Sequence, residues 1–440
     1  MGSETGFRLP HLCLPGAGID LHKWAVVACD QYTAEPEYWR EVAATVGDDP
    51  STLHLIFPEV YLETADAPQR IQEIQQTMRR YLQQGLLREH AGSVLVERRT
   101  GEHTRHGLML ELDLEHYDFS ATSTSLIRPT EGTIVARLAP RIAVRREAEL
   151  ELPHVLVLID DPQYTVIEPL ARAIDRSTPL YDMDLMQRGG HLAGHAVPTA
   201  PAEQAMAALR ALADPQAFAQ RYGVPAGTPP MLFAMGDGNH SLATAKAIWE
   251  QIKGSVGMDH PSRYALVEVE NIHDPALAFE PIHRLLFGVT ADVRQTLQRV
   301  FGAAVRCEDV ASGEVMRQRV SAGRNGVHSV GLIGPGARFS VVEIDLAAAS
   351  LAVAAVQSFV DTLIEQGGAA QVDYVHGDDV LQRLAVGQGC IGIHVPTVSK
   401  SELLRRVVHQ GPLPRKTFSM GEAHEKRFYV EARRIRPAAP

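Results

Sequence analysis

Cysteine is scarce in this 440-residue chain: Cys13, Cys29, Cys307 and Cys390 are the only four, and no two share a metal-ligand spacing. That excludes a disulfide-stapled scaffold and a paired-cysteine zinc site, and free thiols suit a reducing compartment. Positive charge is also short. Lys and Arg total 42 against 53 Asp and Glu, a formal net charge of −11. A surface that tracks nucleic-acid phosphates needs the opposite balance, so no nucleic-acid partner is expected, while a local basic pocket for a small anion stays open. No apolar run approaches the ~20 residues that span a bilayer, and the first residues lack the apolar core of a signal peptide. The expectation is a cytoplasmic protein with no membrane partner, free to form a homo-oligomer. Familiar ligand motifs are missing too: there is no GxxxxGK(S/T) phosphate loop, GxGxxG turn, GxSxG elbow or HExxH helix. A bound nucleotide must therefore be held by a less familiar route.

What remains is an ordinary globular composition, 45% hydrophobic and 22% charged, on a chain long enough for two or three domains. Apolar runs such as Leu152–Ile159 and Tyr264–Glu270 read as strands, and the 3.6-residue apolar period of Ile71, Ile74, Met78 and Tyr81 reads as a helix. Residues 202–222 and 346–366 also read as helices, and the Gly-, His- and Asp-rich stretch 176–199 as a loop. Strands and helices alternate, which predicts an α/β (α+β) protein with mixed sheets. Changes of texture suggest three regions: 1–125, a central region at 126–301 expected to hold the catalytic core, and 302–440.

The most informative stretch is Met231–Ser241, an apolar strand running into Gly236-Asp237-Gly238-Asn239-His240-Ser241 and then into a helix with Leu242, Ala245, Ile248, Trp249 and Ile252 on one face. The glycines permit a sharp turn and close backbone approach. Unpaired N–H groups at the helix start favour an anion, typically phosphate. Asp237 suits a metal or a substrate hydroxyl, and His240 a phosphate or a transferred proton. An ordinary Asp-Gly turn with a capping Asn or Ser is the competing reading.

Other clusters repeat the theme. Arg128, Glu131 and Thr133 fall within six residues, followed by Arg137 and Arg141. A carboxylate among guanidinium groups can act as a general base while the arginines clamp phosphate oxygens; a solvated turn with surface ion pairs is the alternative. Asp160-Asp161-Pro162 follows an apolar strand and could hold Mg²⁺ or simply end the strand. His283-Arg284 and the basic stretch around Lys416 are further anion candidates. His191 and His195 have the helical zinc spacing, but Gly189, Gly190 and Gly194 argue against a helix there.

In order, these segments resemble the domain-of-unknown-function 1015 family of bacteria and archaea. The resemblance rests on Cys29-Asp30-Gln31-Tyr32, on Arg128, Glu131, Thr133, Arg137 and Leu138, on Pro153 to Pro162, on Asp237–Ser241, on Pro281–Arg284 and on Pro414–Thr417. The Asp237–Ser241 signature is also similar to that of free-serine kinases built on the ParB/sulfiredoxin-like fold. That similarity implies a nucleotide-dependent kinase acting on the hydroxyl of a small metabolite, serine or a related hydroxy acid. Glu131 would take the hydroxyl proton, with Asp237 and His240 as further catalytic groups and Asp30, Gln31 and Tyr32 at the substrate. Mg²⁺ would sit on Asp160, Asp161 and Asp237. ATP or ADP would contact Arg128, Thr133, Arg137, Gly238, Asn239, Ser241, His283, Arg284 and Lys416. Asn239 and Ser241 stand where the signature has a histidine and an arginine, which removes one phosphate clamp. A non-catalytic nucleotide-binding regulator of the ParB-like type and a metal-dependent hydrolase are the other readings.

Overall fold

The computed structural model describes residues 5–33, 35–135, 138–349 and 351–437. The chain forms two compact units. The first comprises residues 1–278, 403–413 and 423–440, and the second residues 279–402 and 414–422. The three-region division drawn from sequence texture is corrected by this partition. Position 125 is no boundary, because strands on either side of it lie in one sheet.

That sheet is built from β1 (Phe7–Arg8), β2 (Val94–Thr100), β3 (His103–Asp113), β4 (Ile127–Arg128), β5 (Leu156–Ile159), β6 (Tyr181–Leu185), β7 (Gly190–Ala196), β8 (Phe233–Asp237) and β9 (Tyr264–Asn271). Its order is β6-β7-β2-β3-β9-β5-β8-β4, with β1 also on β3. The α/β expectation holds, and the sheet is mixed: β9/β5 and β8/β4 are parallel, while β5/β8 and the other pairs are antiparallel. Stretch 176–199, expected as a loop, is the β6–β7 hairpin. Its first strand buries alternate residues, Tyr181, Met183 and Leu185, and sends Asp182 and Asp184 outward, a period of two hidden by its short length. The expected 202–222 helix is two helices, Thr199–Leu212 and Pro215–Tyr222. Pro215 cannot donate to a continuing helix, and the Asp214 carboxylate accepts Ala217 N–H at 2.8 Å to start a new one.

All eight residues of β9 are buried, so its two acids must find cations inside. Glu268 meets Arg427 at 2.7 Å, and Gly107 on the neighbouring β3 leaves it room, since a Cβ there would lie 2.0 Å from Glu268 Oε1. Arg427 also bonds Glu431 at 2.6 Å and the Pro153 carbonyl at 3.0 Å. Arg433 bonds Glu151 at 2.6 Å. These buried pairs bind the segment from Lys426 to Arg434 into the first unit. Glu270 meets Arg105 at 2.7 Å.

The second unit has its own sheet, in the order Val305–Val310, Arg338–Asp345, Val327–Gly334, Ile391–His394, Phe279–Phe287, Gln371–His376, with Phe418–Met420 also on Phe279–Phe287. The Ala352–Glu365 helix buries Val353, Val356, Phe359, Val360 and Leu363 in its core. No helix among the described residues is long and apolar enough to cross a membrane.

Burial holds the Glu270 carboxyl up at about 8 from the usual 4.5; Arg105 opposes this, and Glu268 and Asp274 add to it. A folded-state value above the unfolded one contributes stability that is complete below about 4.5 and is lost as pH rises through about 8. Glu270→Gln should remove that slope. Relative to wild type, the variant should gain stability at up to about 1.4 kcal/mol per pH unit between those limits, read from urea midpoints at pH 5 to 8.

Candidate functional site

The residues with chemistry gather where β8 ends. Gly238 sits at φ +78°, and a Cβ there would lie 2.9 Å from the Val155 Cα, so only glycine turns this corner without strain. The helix Asn239–Val256 begins at once, and its cap residue, Gly238, has no side chain to satisfy the first-turn N–H groups. Leu242, Ala245, Ile248 and Trp249 bury its inner face as the periodicity predicts. Asp237 accepts Gly238 N–H at 2.8 Å and pairs with Lys426, Nζ to Oδ2 3.1 Å. Burial alone would raise its carboxyl. Lys426 above all, with His154 and the Gly238 N–H, overcomes that and holds it below the usual Asp range.

Glu131 reaches the same end of the sheet by register. Ile127 and Arg128 pair in parallel with Phe233 and Ala234, and the Thr130 hydroxyl then bonds the Met235 carbonyl at 2.6 Å. Glu131 is the next residue after this contact. Glu131 itself bridges to Leu413. Two residues on, the Thr133 hydroxyl is buried without a hydrogen-bond partner among the described residues.

His154, just before β5, links this corner to the N-terminal turn. Its Nε2 lies 3.1 Å from Ser241 Oγ and 3.7 Å from Asp30 Oδ2, and its Nδ1 lies 2.7 Å from the Tyr429 hydroxyl. Asp30 accepts from Gln31 at 3.0 Å, and the Tyr32 ring, at φ +53°, stacks on Tyr38 at 3.7 Å. Beside Ser241 and His154 opens a cavity of about 140 Å³ with mainly apolar walls, including Leu55, Phe57, Met78 and Leu150. Its charged groups are paired, Arg141 with Glu59 and Arg145 with Glu151. His154, Tyr429, Lys426 and Glu59 were not singled out from sequence.

Several expected site residues lie elsewhere. Asp160 and Asp161 follow the C-terminal end of β5, whereas Asp237 aligns with Leu156 at its start, because β5 and β8 are antiparallel. Four residues of strand separate them, about 13 Å, so the three do not form one Mg²⁺ site. Asp161 is fully buried and accepts the Thr165 and Val166 N–H groups at 2.5 and 2.9 Å, while Asp160 bonds Tyr222 at 2.6 Å and His273 at 2.7 Å. Arg128 is no phosphate clamp: its buried guanidinium donates to the carbonyls of Ser125, Thr124 and Pro229. Arg137 lies outside the described residues. His191 and His195 sit on a strand, not a helix, about 13 Å apart by strand rise, and pair separately with Asp182 and Glu97.

His283, Arg284 and Lys416 belong to the second unit. Arg284 is fully buried and donates to the Ile282 and Lys416 carbonyls, so it too is structural. Asp378 lies 2.8 Å from His283 Nε2 and 3.0 Å from His394 Nε2. This trio has the composition of a metal site, with its ligand atoms within 4.8 Å of one another and the two imidazoles stacked at 4.7 Å and 23°. Val395 N–H donates to His283 Nδ1, which leaves the His283 proton on Nε2, facing Asp378.

Residues 13–363 match the family described as "Protein of unknown function (DUF1015)". The chain belongs to this family. No curated protein matches it significantly. Among solved structures, a DUF1015 chain of this shape is similar to a conserved hypothetical protein from Pyrococcus furiosus (10% identity, 74% of this chain and 95% of that one, TM-score 0.36). It is also similar to a free serine kinase in complex with AMP (10%, 74% and 91%, 0.37) and to SbnI with a C-terminal truncation from Staphylococcus aureus (12%, 70% and 83%, 0.34). At these scores no residue is carried across.

The Lys426–Asp237 pair is checkable directly. Lys426→Ala should raise the Asp237 carboxyl, visible in a carbon-13 NMR titration, and cost about 1–3 kcal/mol at pH 7. A depressed carboxyl contributes stability above its usual 3.8 that is lost as pH falls through the folded value, so the difference between the two proteins should shrink in acid.

Proposed function

We propose that the corner formed by Glu131, Asp237 and the start of the Asn239–Val256 helix transfers a phosphoryl group from a nucleotide to the hydroxyl of a small metabolite, of the serine or hydroxy-acid class. The observation that carries this reading is the parallel pairing of β4 with β8, which supports two carboxylates beside the first turn of an 18-residue helix. Phosphoryl transfer needs positioning and charge neutralisation more than covalent chemistry. The first-turn N–H groups and Gly238 suit phosphate oxygens, and Lys426 adds a cation. Glu131 serves as the base that takes the acceptor's proton. Asp30, Gln31 and Tyr32 frame the acceptor, and His240 faces the phosphate.

Mg²⁺ would shield the phosphate charge. Asp237 fits it poorly, since Oδ2 is held by Lys426 and Oδ1 by Gly238 N–H. Asp30 fits better: its Oδ1 accepts from the Gln31 side chain, and its Oδ2 lies 3.7 Å from His154 Nε2, beyond hydrogen-bond distance. In this reading the phosphates supply most of the ligands and Asp30 the protein carboxylate.

Thermal shift with ATP or ADP and Mg²⁺, then with serine and hydroxy acids added, tests binding by mass action. Glu131→Gln should lower turnover about 10²–10⁴-fold with nucleotide affinity unchanged, whereas Asp237→Asn should weaken both. Near-wild-type turnover in Glu131→Gln would remove Glu131 from the reaction. A protein that binds nucleotide but transfers phosphate to no hydroxyl compound would be a regulator instead.

A further inference from the structure

Ser241 does more here than line a phosphate site. It is the third residue of its helix, yet its hydroxyl does not serve as the N-cap, a place held by Gly238. Its Oγ instead lies 3.1 Å from His154 Nε2, within the distance of a nucleophile and its base. The base is oriented from behind. The Tyr429 oxygen accepts Cys29 N–H at 3.1 Å. That oxygen lies 2.7 Å from His154 Nδ1, and in the tautomer with the proton on Nδ1 it accepts there and leaves the Nε2 lone pair on Ser241. Ser241, His154, Tyr429 and Cys29 all line the cavity beside the helix start.

We infer that Ser241 is a covalent relay, phosphorylated by the donor and dephosphorylated by the acceptor; this rests on the phosphoryl-transfer reading above. In the first step Ser241 Oγ bonds to the terminal phosphorus of a nucleoside triphosphate. The bond to the bridging oxygen breaks, its electron pair leaves with the nucleoside diphosphate, and the serine proton passes to His154 Nε2. In the second, the acceptor oxygen bonds to that phosphorus as Glu131 takes its proton, and Ser241 Oγ leaves with the proton returned by His154. No oxidant or further reactant is needed. His154 is a catalytic residue in this scheme. Tyr429 is a positioning residue.

The test uses the full-length protein with γ-labelled ATP and Mg²⁺, without acceptor. An acid-stable label should appear at up to one per chain, map to Ser241 by peptide mass spectrometry and be released by the acceptor. Ser241→Ala should lose label and at least 100-fold in turnover, far more than any loss of nucleotide binding read by thermal shift. Tyr429→Phe should slow labelling about tenfold or more and move its pH profile, a shift that loss of packing alone does not produce. Two measurements need no variant. The transferred phosphorus should keep its configuration after two displacements, and nitrogen-15 NMR should find the His154 proton on Nδ1. Turnover with inversion, an acid-labile label on histidine, a proton on Nε2 only, or active Ser241→Ala would each overturn the relay and leave the kinase reading standing. Absence of nucleotide binding would overturn both.

Discussion

A guanidinium in the dark holds the first unit's chemistry together. Arg427 is buried between Glu268 on the central strand, Glu431 and the Pro153 carbonyl. Burial works against its charge, but Glu431 and Glu268 more than restore it, and it is held above the usual arginine range. Removing one member of such a set leaves the others charged and unpaired in a low-dielectric interior, which costs more than the pair contributes. The same residue fixes its neighbours. Lys426 can reach Asp237, and Tyr429 can reach His154, because the backbone between them is pinned at this point. The donor to the Pro153 carbonyl is also one peptide from His154, so one side chain anchors both halves of the hydrogen-bonded chain that ends on Ser241.

Strand direction then sorts the acids. Because β5 runs against β8, two carboxylates that each follow an apolar strand emerge at opposite ends of the sheet. β4 and β8 run together, so the chain leaves both in the same direction, with Glu131 three residues past β4 and Asp237 the last residue of β8. Asp160 and Asp161 are drawn into capping and hydrogen bonds of their own, as buried acids must be. The contrast between Arg427, which meets carboxylates, and Arg128, which meets only carbonyls, separates arginines that carry charge into the interior from those that close loops.

Much of this was legible in the residues. The strand–turn–helix at Met231–Ile252, the Leu152–Ile159 strand and the α/β class followed from periodicity and glycine placement, because those signals are local. What escaped was non-local. His154 hides in an apolar run, where its one polar side chain was the available clue. Lys426 and Tyr429 lie near the end of the chain in sequence, and nothing nearby in sequence says that acids wait for this segment on Glu268 and Asp237. The β6–β7 hairpin escaped for a different reason: its glycines and histidines look like loop, although Tyr181, Met183 and Leu185 keep a strict alternation. Asp160 and Asp161 misled because sequence records that a strand ends, not which way it points.

The dependence on Lys426 and Tyr429 has a consequence for biosynthesis. While a ribosome still holds residues past 425, β1 to β9 are already outside, yet the nascent chain has neither the cation beside Asp237 nor the hydroxyl behind His154, and Glu268 has no guanidinium. The sheet can begin to collapse at that stage only around an unpaid buried charge. The corner around Asp237 and His154 is thus completed only when Lys426–Arg434 docks, and a chain clipped before residue 426 keeps Glu268 without its guanidinium partner.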